Sequence, residues 1–221
     1  ADTRQLMMGD IAEVAGDEVE LAIEVVGSAP IERVDILDGT RVLETIRPFR
    51  EADLGARIRL LYQGAEYRGR ARTTVWDGVL ELEANAITGA TMVNNWNLDR
   101  GIQKLGRTSL EWKAVTTGNF GALDIRLEKA RDGRLAFETK PCQGIVVIGS
   151  IGLEDTVIDG GGLDRAVRLY RLPDRLTERN VTIRRKIRLR EAGDTRLYVR
   201  VTQEDGHRAW SSPIYLVRAP A

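Results

Sequence analysis

The single histidine, His207, lies in the run Gln203-Glu204-Asp205-Gly206-His207, and Trp210 follows three residues later. A carboxylate such as Asp205 beside an imidazole can hold it as a general base. Ser211 and Ser212 supply nearby hydroxyls. No G-x-S-x-G elbow exists, however, and neighbours in sequence are not a triad. The run reads first as a hairpin loop, and second as a loop that completes the pocket of another domain. His207, Asp205 and Trp210 are therefore candidate binding residues, and no residue is assigned a catalytic role.

Arg68, Arg70 and Arg72 would share one face if their segment is a strand. Three guanidinium groups in a row can clamp a phosphate or a carboxylate. The plainer reading pairs them with Glu66, Asp77 or Glu81. A second stripe, Arg184, Lys186, Arg188 and Arg190, reads as the wet face of a half-buried strand. Trp96, between Asn95 and Asn97, is the tryptophan best placed to stand exposed and stack on a sugar ring. Trp76 and Trp112 lie in strand-like contexts and are expected in the core. Asp159-Gly160-Gly161-Gly162-Leu163-Asp164 carries calcium-type ligands but matches no EF-hand loop and reads as a turn. Asn180-Val181-Thr182 fits the glycosylation sequon only weakly as a signal.

Composition excludes several chemistries. One His and one Cys in 221 residues cannot build a His/Cys zinc site, and Cys142 cannot form a disulfide within the chain. No metal ligand and no cofactor is therefore assigned. Cys142 is expected as a small buried residue. The formal net charge is zero, which argues against nucleic acid as a partner. No run approaches 18 apolar residues, so no membrane-spanning helix is expected. Arginine outnumbers lysine 28 to 5, a bias that base composition explains. The chain opens at Ala1 with no signal-like stretch, and the expectation is that it is a piece of something longer.

The elements that must position these residues have a period of two. Val19, Leu21, Ile23 and Val25 alternate with Glu20, Ala22 and Glu24. Ile58-Leu60-Tyr62, Leu110-Trp112-Ala114, Leu123-Ile125-Leu127 and Leu197-Val199-Val201 do the same. Each run reads as a half-buried antiparallel strand. Asp38-Gly39, Asp77-Gly78, Asp132-Gly133 and Asp205-Gly206 are turn signals. About a dozen strands are expected, with little helix beyond short pieces at 96–105 and 173–180. Residues 84–108 read as a long surface loop, and Ile145 to Ile148 as a fully buried strand. The fold class is all-β: two packed antiparallel sandwiches, one immunoglobulin-like and one inserted and jelly-roll-like.

Three stretches carry a family resemblance: GSAPIERVDILDG (27–39) after VELAIEVV, YRGRARTTVWDGVLEL (67–82) and YVRVTQEDGHRAWSSPIYL (198–216). Together they resemble the C-terminal region of a bacterial protein family of unknown function. That family's N-terminal part is similar to metal-dependent phosphoesterases of the polymerase and histidinol phosphatase (PHP) type. The resemblance implies an accessory β-domain of a PHP-like metal-dependent hydrolase. Its partner would be a catalytic region N-terminal to Ala1, in a cytoplasmic or periplasmic protein. The alternative is a stand-alone carbohydrate- or protein-binding β-sandwich. Motif order implies that 17–47 and 194–218 belong to one sandwich. The expected division is 1–65 with 191–221 as the immunoglobulin-like part and 66–190 as the insert.

Overall fold

The computed structural model describes residues 5–69 and 72–218. The chain is 58% strand and 3% helix, so antiparallel ladders carry the fold. The helical residues are two 3-10 turns, Glu51–Asp53 and Ile148–Ser150. Among the described residues no helix is long and apolar enough to cross a membrane. The chain divides into two units: Ala1–Pro48 with Leu176–Ala221, and Phe49–Arg175.

The first unit holds eight strands. They are β1 (Ile11–Val14), β2 (Glu18–Val26), β3 (Ile31–Asp38), β4 (Arg41–Ile46), β17 (Asn180–Arg188), β18 (Thr195–Gln203), β19 (Arg208–Trp210) and β20 (Ile214–Arg218). One sheet runs β1-β20-β18-β3-β4, with β19 hairpinned onto β18. Residues 17–47 and 194–218 thus share a sheet through the β3–β18 ladder. The β1–β20 pair is parallel. The second sheet is the nine-residue ladder of β2 with β17. Ile23, Ile183 and Ile187 of that ladder meet Ile31, Val34, Ile36, Leu197 and Leu216 in one apolar core.

The second unit holds the remaining twelve: β5 (Arg57–Ala65), β6 (Thr74–Val75), β7 (Gly78–Glu83), β8 (Ile87–Val93), β9 (Gly101–Leu105), β10 (Ser109–Lys113), β11 (Val115–Thr116), β12 (Phe120–Leu127), β13 (Arg134–Thr139), β14 (Gln143–Val147), β15 (Thr156–Asp159) and β16 (Leu163–Leu172). One five-stranded sheet runs β15-β16-β5-β12-β8 and the other β14-β13-β7-β10-β9. Their inner faces meet in a second core around Ile58, Leu60, Trp76, Leu80, Trp112 and Leu123. Because β5 pairs with β12 and β16, and β17 with β2, the boundaries fall at 48/49 and 175/176, not at 65/66 and 190/191.

Several local expectations are corrected. Residues 84–108 are not one loop: they carry β8 and β9, whose pairings a loop-rich composition concealed. No helix forms at 96–105 or 173–180. Ile145 and Val147 are 74% and 53% exposed, so β14 is an edge strand with one wet face, and only Ile148 is buried. Asp38-Gly39 and Asp205-Gly206 turn hairpins with Gly φ of 60° and 89°. Asp77-Gly78 does not turn, because it starts β7. A Cβ on Gly78 would lie 2.6 Å from both the Glu138 carbonyl oxygen and the Trp112 ring, so close approach explains that glycine.

Trp76 is fully buried, 5.6 Å between centroids from Tyr62. Its Nε1–H donates to Thr116 Oγ1 at 2.9 Å. Burial alone raises the Tyr62 hydroxyl above its ordinary pKa. Thr116→Val strands the Trp76 donor inside the core. The expected cost is about 1–3 kcal/mol of unfolding free energy, read by urea denaturation; a change under about 0.5 kcal/mol would show that the bond is not needed.

Candidate functional site

The candidates from the sequence fall into separate parts of the fold. His207 and Asp205 occupy the β18–β19 turn, with His207 Nδ1 3.1 Å from Asp205 Oδ1 and the imidazole 83% exposed. The Asp205 carboxylate also accepts the His207 backbone N–H at 3.0 Å. Trp210 is exposed at the end of β19. Ser211 Oγ is spent on the Val199 N–H at 3.0 Å. No nucleophile, base and oxyanion donor converge there among the described residues. The loop is a polar surface whose Glu204 N–H donates to the Pro30 carbonyl at 2.8 Å.

Arg68 and Arg72 are exposed and lie between β5 and β6, outside the ladders. Arg70 lies outside the described residues. Two of the expected acidic partners are otherwise engaged, Glu66 with Arg165 and Asp77 with Arg100. Trp96 is 58% exposed beside Leu98 in the loop between β8 and β9. In the second basic stripe, Arg184 pairs with Glu20, Arg188 with Glu191 and Arg190 with Asp38. The Asp159 carboxylate accepts the Gly161 N–H at 2.8 Å, and Asp164 pairs with Arg168 and accepts from Gln63 Nε2 at 2.8 Å. Cys142 is half-buried, and burial, the largest influence, raises its thiol pKa. No group of three or more metal-type ligands exists among the described residues.

A different site emerges on the outer face of the β14-β13-β7-β10-β9 sheet. Strand alternation sends Leu80, Leu82, Leu110, Trp112, Leu135 and Phe137 into the core. The same alternation sends the residues between them outward, and the registers arrange those in rows. Lys113 and Lys140 lie at one end, two residues beyond Glu111 and Glu138 on their strands. The next row is Glu111, Val79, Glu138 and Gln143, adjacent across β10, β7, β13 and β14. The row after it is Ser109, Glu81, Ala136 and Ile145.

Two adjoining hollows, of about 520 and 660 Å³, follow these rows and share Val79 and Glu138. They form one groove across the sheet. Glu111 is held by Lys104 Nζ at 2.8 Å. Asp77 accepts from Arg100 at 2.7 Å and from the Ala114 N–H at 3.0 Å. Glu81, Glu138, Lys113 and Lys140 line the groove with no side-chain partner among the described residues.

Trp112 also lines the groove, at its lysine end. It is 1% exposed, and its Nε1–H has no hydrogen-bond partner. A buried donor left unmade costs about 1–3 kcal/mol, and native proteins rarely carry one without a reason. Trp76, its neighbour in the same core, does have a partner. Sequence reading assigned Trp112 to the core correctly but had no means of seeing its unmade bond. The alternation of Glu81 and Glu138 with core leucines and Phe137 was the only available signal for the outer face.

No family model, curated protein or solved structure matches the chain.

Proposed function

We propose that this chain is a non-catalytic ligand-binding β-domain, and that its site is the groove on the outer sheet of Phe49–Arg175. The observation that carries this reading is the groove's lining: Glu81, Glu138, Lys113 and Lys140 have no side-chain partner among the described residues and stand beside Val79, Ala136 and Ile145. A built pocket has a few polar groups among apolar ones. The facing sheets of each unit support reading the first as an immunoglobulin-like sandwich and the second as jelly-roll-like.

The test is the indole N–H resonance of Trp112 in the full chain, assigned by its loss in Trp112→Phe. Probes spanning carboxylates, polyols and peptides are titrated. At least one is expected to shift Trp112 while leaving Trp96 and Trp210 unmoved. A Trp112 resonance that no probe class moves would overturn the reading.

The motifs at 27–39, 67–82 and 198–216 support a second placement, as an accessory domain of a PHP-like metal-dependent hydrolase. The chemistry would then reside in the parent's other region. A parent chain whose preceding stretch is dense in His and Asp is the expected finding. A different partner domain would leave the binding module standing by itself.

A further inference from the structure

We infer that two copies of this chain pair through β14, antiparallel and edge to edge about a two-fold axis at Ile145. The pairing joins their β14-β13-β7-β10-β9 sheets into one. Such a dimer goes beyond the binding-domain reading and does not depend on it. Sequence and position disagree at this strand. Gly144 to Ile148 is an uncharged, apolar run with the composition of an interior strand. Yet β14 lies at the end of its sheet, with Ile145 and Val147 exposed on the outer face.

The backbone is open as well. In an antiparallel ladder, pairs that exchange hydrogen bonds alternate with pairs that do not. The Thr139 N–H donates to the Cys142 carbonyl at 2.9 Å, and the Ile148 N–H to the Gly133 carbonyl at 3.0 Å. In the register of β13 on β14, the residues bonded to β13 are therefore Cys142, Gly144, Val146 and Ile148. Gln143, Ile145 and Val147 turn their N–H and C=O groups the other way. Ser150 Oγ donates to the Val147 carbonyl at 2.8 Å, which keeps a second lone pair. The Ile145 N–H and C=O have no partner among the described residues. Edge strands are normally guarded by charge, proline or a bulge. At the other edges of this unit, β9 carries Lys104 and a register shift, β15 carries Asp159, and the β8 ladder shifts register. β14 has none of these devices.

A second copy fits this edge in shape and in charge. Turned about Ile145, it sets Ile145 opposite the partner's Ile145 and Gln143 opposite the partner's Val147. Outward N–H groups then meet outward carbonyls, and only uncharged side chains face each other across the junction. On β13, Glu138 lies beside Gln143 and Arg134 beside Val147. Both are exposed, with no side-chain partner among the described residues. The two-fold brings Glu138 into the row of the partner's Arg134, at both ends of the junction. A parallel pairing would set like charge against like. Gln143 and Ile145 also line the groove, so the dimer places two grooves end to end across the axis.

Sedimentation equilibrium on the full chain, from micromolar to near-millimolar, is expected to show reversible growth from 24.6 kDa to twice that mass. Ile145→Lys puts two ammonium groups side by side at the axis and should weaken association by about ten-fold or more. Ile145→Pro removes an N–H that β13 does not use and should do the same. Melting near the wild-type temperature shows that each variant still folds. Cysteines read the register in a Cys142→Ser background, where no other thiol remains. Ile145→Cys should oxidise to a covalent dimer, since residues opposed in a bonded pair lie about 5.5 Å apart, within disulfide reach. Gln143→Cys alone should not, but mixed with Val147→Cys it should. A chain that stays monomeric, association indifferent to Ile145→Lys, or crosslinking as strong for Gln143→Cys as for Ile145→Cys overturns the inference. A monomer whose β14 amide resonances move with an added apolar strand peptide assigns the edge to a foreign strand and also overturns it. No readout involves a groove ligand, so the binding-domain reading is decided separately.

Discussion

Asp124→Ala is expected to destabilise the Phe49–Arg175 unit by about 3–5 kcal/mol. Asp124 lies on β12 with only 5% of its surface exposed. Arg57 and Arg59, across the β5–β12 ladder, both grip it: Arg59 Nε at 2.6 Å and Nη2 at 2.9 Å, and Arg57 through Nε at 3.0 Å and a closer Nη2 contact. Alanine leaves two buried guanidinium groups without this counter-charge, which is the expensive half of breaking a buried pair. Three of the four tryptophans, Trp76, Trp96 and Trp112, are in this unit. Denaturant unfolding followed by their fluorescence therefore reports the loss. A change below about 1 kcal/mol would mean the cluster is solvated and contributes little.

The same residue sets a pH dependence. Burial alone would raise the Asp124 pKa, but the hydrogen bonds and charges of Arg59 and Arg57 hold it below the ordinary carboxylate value of 3.8. A depressed carboxylate stabilises the fold at pH above its unfolded value. That contribution disappears as pH falls below 3.8 through the lower folded value. The gap between wild type and Asp124→Ala should thus be constant near neutrality and narrow only in strongly acidic solution. A gap that narrows near pH 6 would point to another group.

Arg171→Met should cost about as much, roughly 3 kcal/mol or more, for a different reason. Arg171 is 1% exposed on β16. Its Nε donates to the Ile151 carbonyl at 2.9 Å, Nη2 to Ile148 at 2.6 Å and Nη1 to Gly55 at 3.1 Å. Burial, the largest influence, lowers its pKa from the ordinary value. Methionine keeps much of the aliphatic volume but removes every donor. Each buried carbonyl left unsatisfied costs about 1–3 kcal/mol, not fully additively. Arg171→Lys is the informative control: one ammonium cannot span three carbonyls that a planar fork reaches, so it should recover only part of the loss. Equal stability of Arg171→Met and wild type in urea would show that water replaces the guanidinium.

These clusters put the arginine bias in a new light. The chain has 28 arginines against five lysines, and Arg57, Arg59 and Arg171 are buried where forked, planar donors are needed. The sequence pointed instead to Arg68, Arg70 and Arg72, because regular spacing is visible in one dimension. Arg57 and Arg59 alternate with the core residues Ile58 and Leu60 on β5. Their face is buried as well, so polarity there marks a buried charge cluster rather than solvent.

The all-β class was legible because alternation is local: a residue and its second neighbour face the same way whatever the chain does elsewhere. Val19 to Val25, Leu110 to Ala114 and Leu123 to Leu127 all appear as strands where that period predicts them. So was the burial of Trp76 and Trp112. Strands β8 and β9 were not, since Asn and Gly disfavour strands and β8 pairs with β12, far along the chain.

What the sequence determined alone is the repertoire: strands rather than helices, one free thiol, one histidine, two aromatic core anchors. Tertiary structure decided which strands lie side by side. That choice placed Glu81, Glu138, Lys113 and Lys140 on one face and left the Trp112 N–H without an acceptor. Pairing and hydrogen-bond satisfaction depend on residues tens of positions apart, as Gly78 and Trp112 or Arg57 and Asp124 are. A local period carries no record of such distances, so the groove and the buried charge cluster became visible only once the sheets had formed.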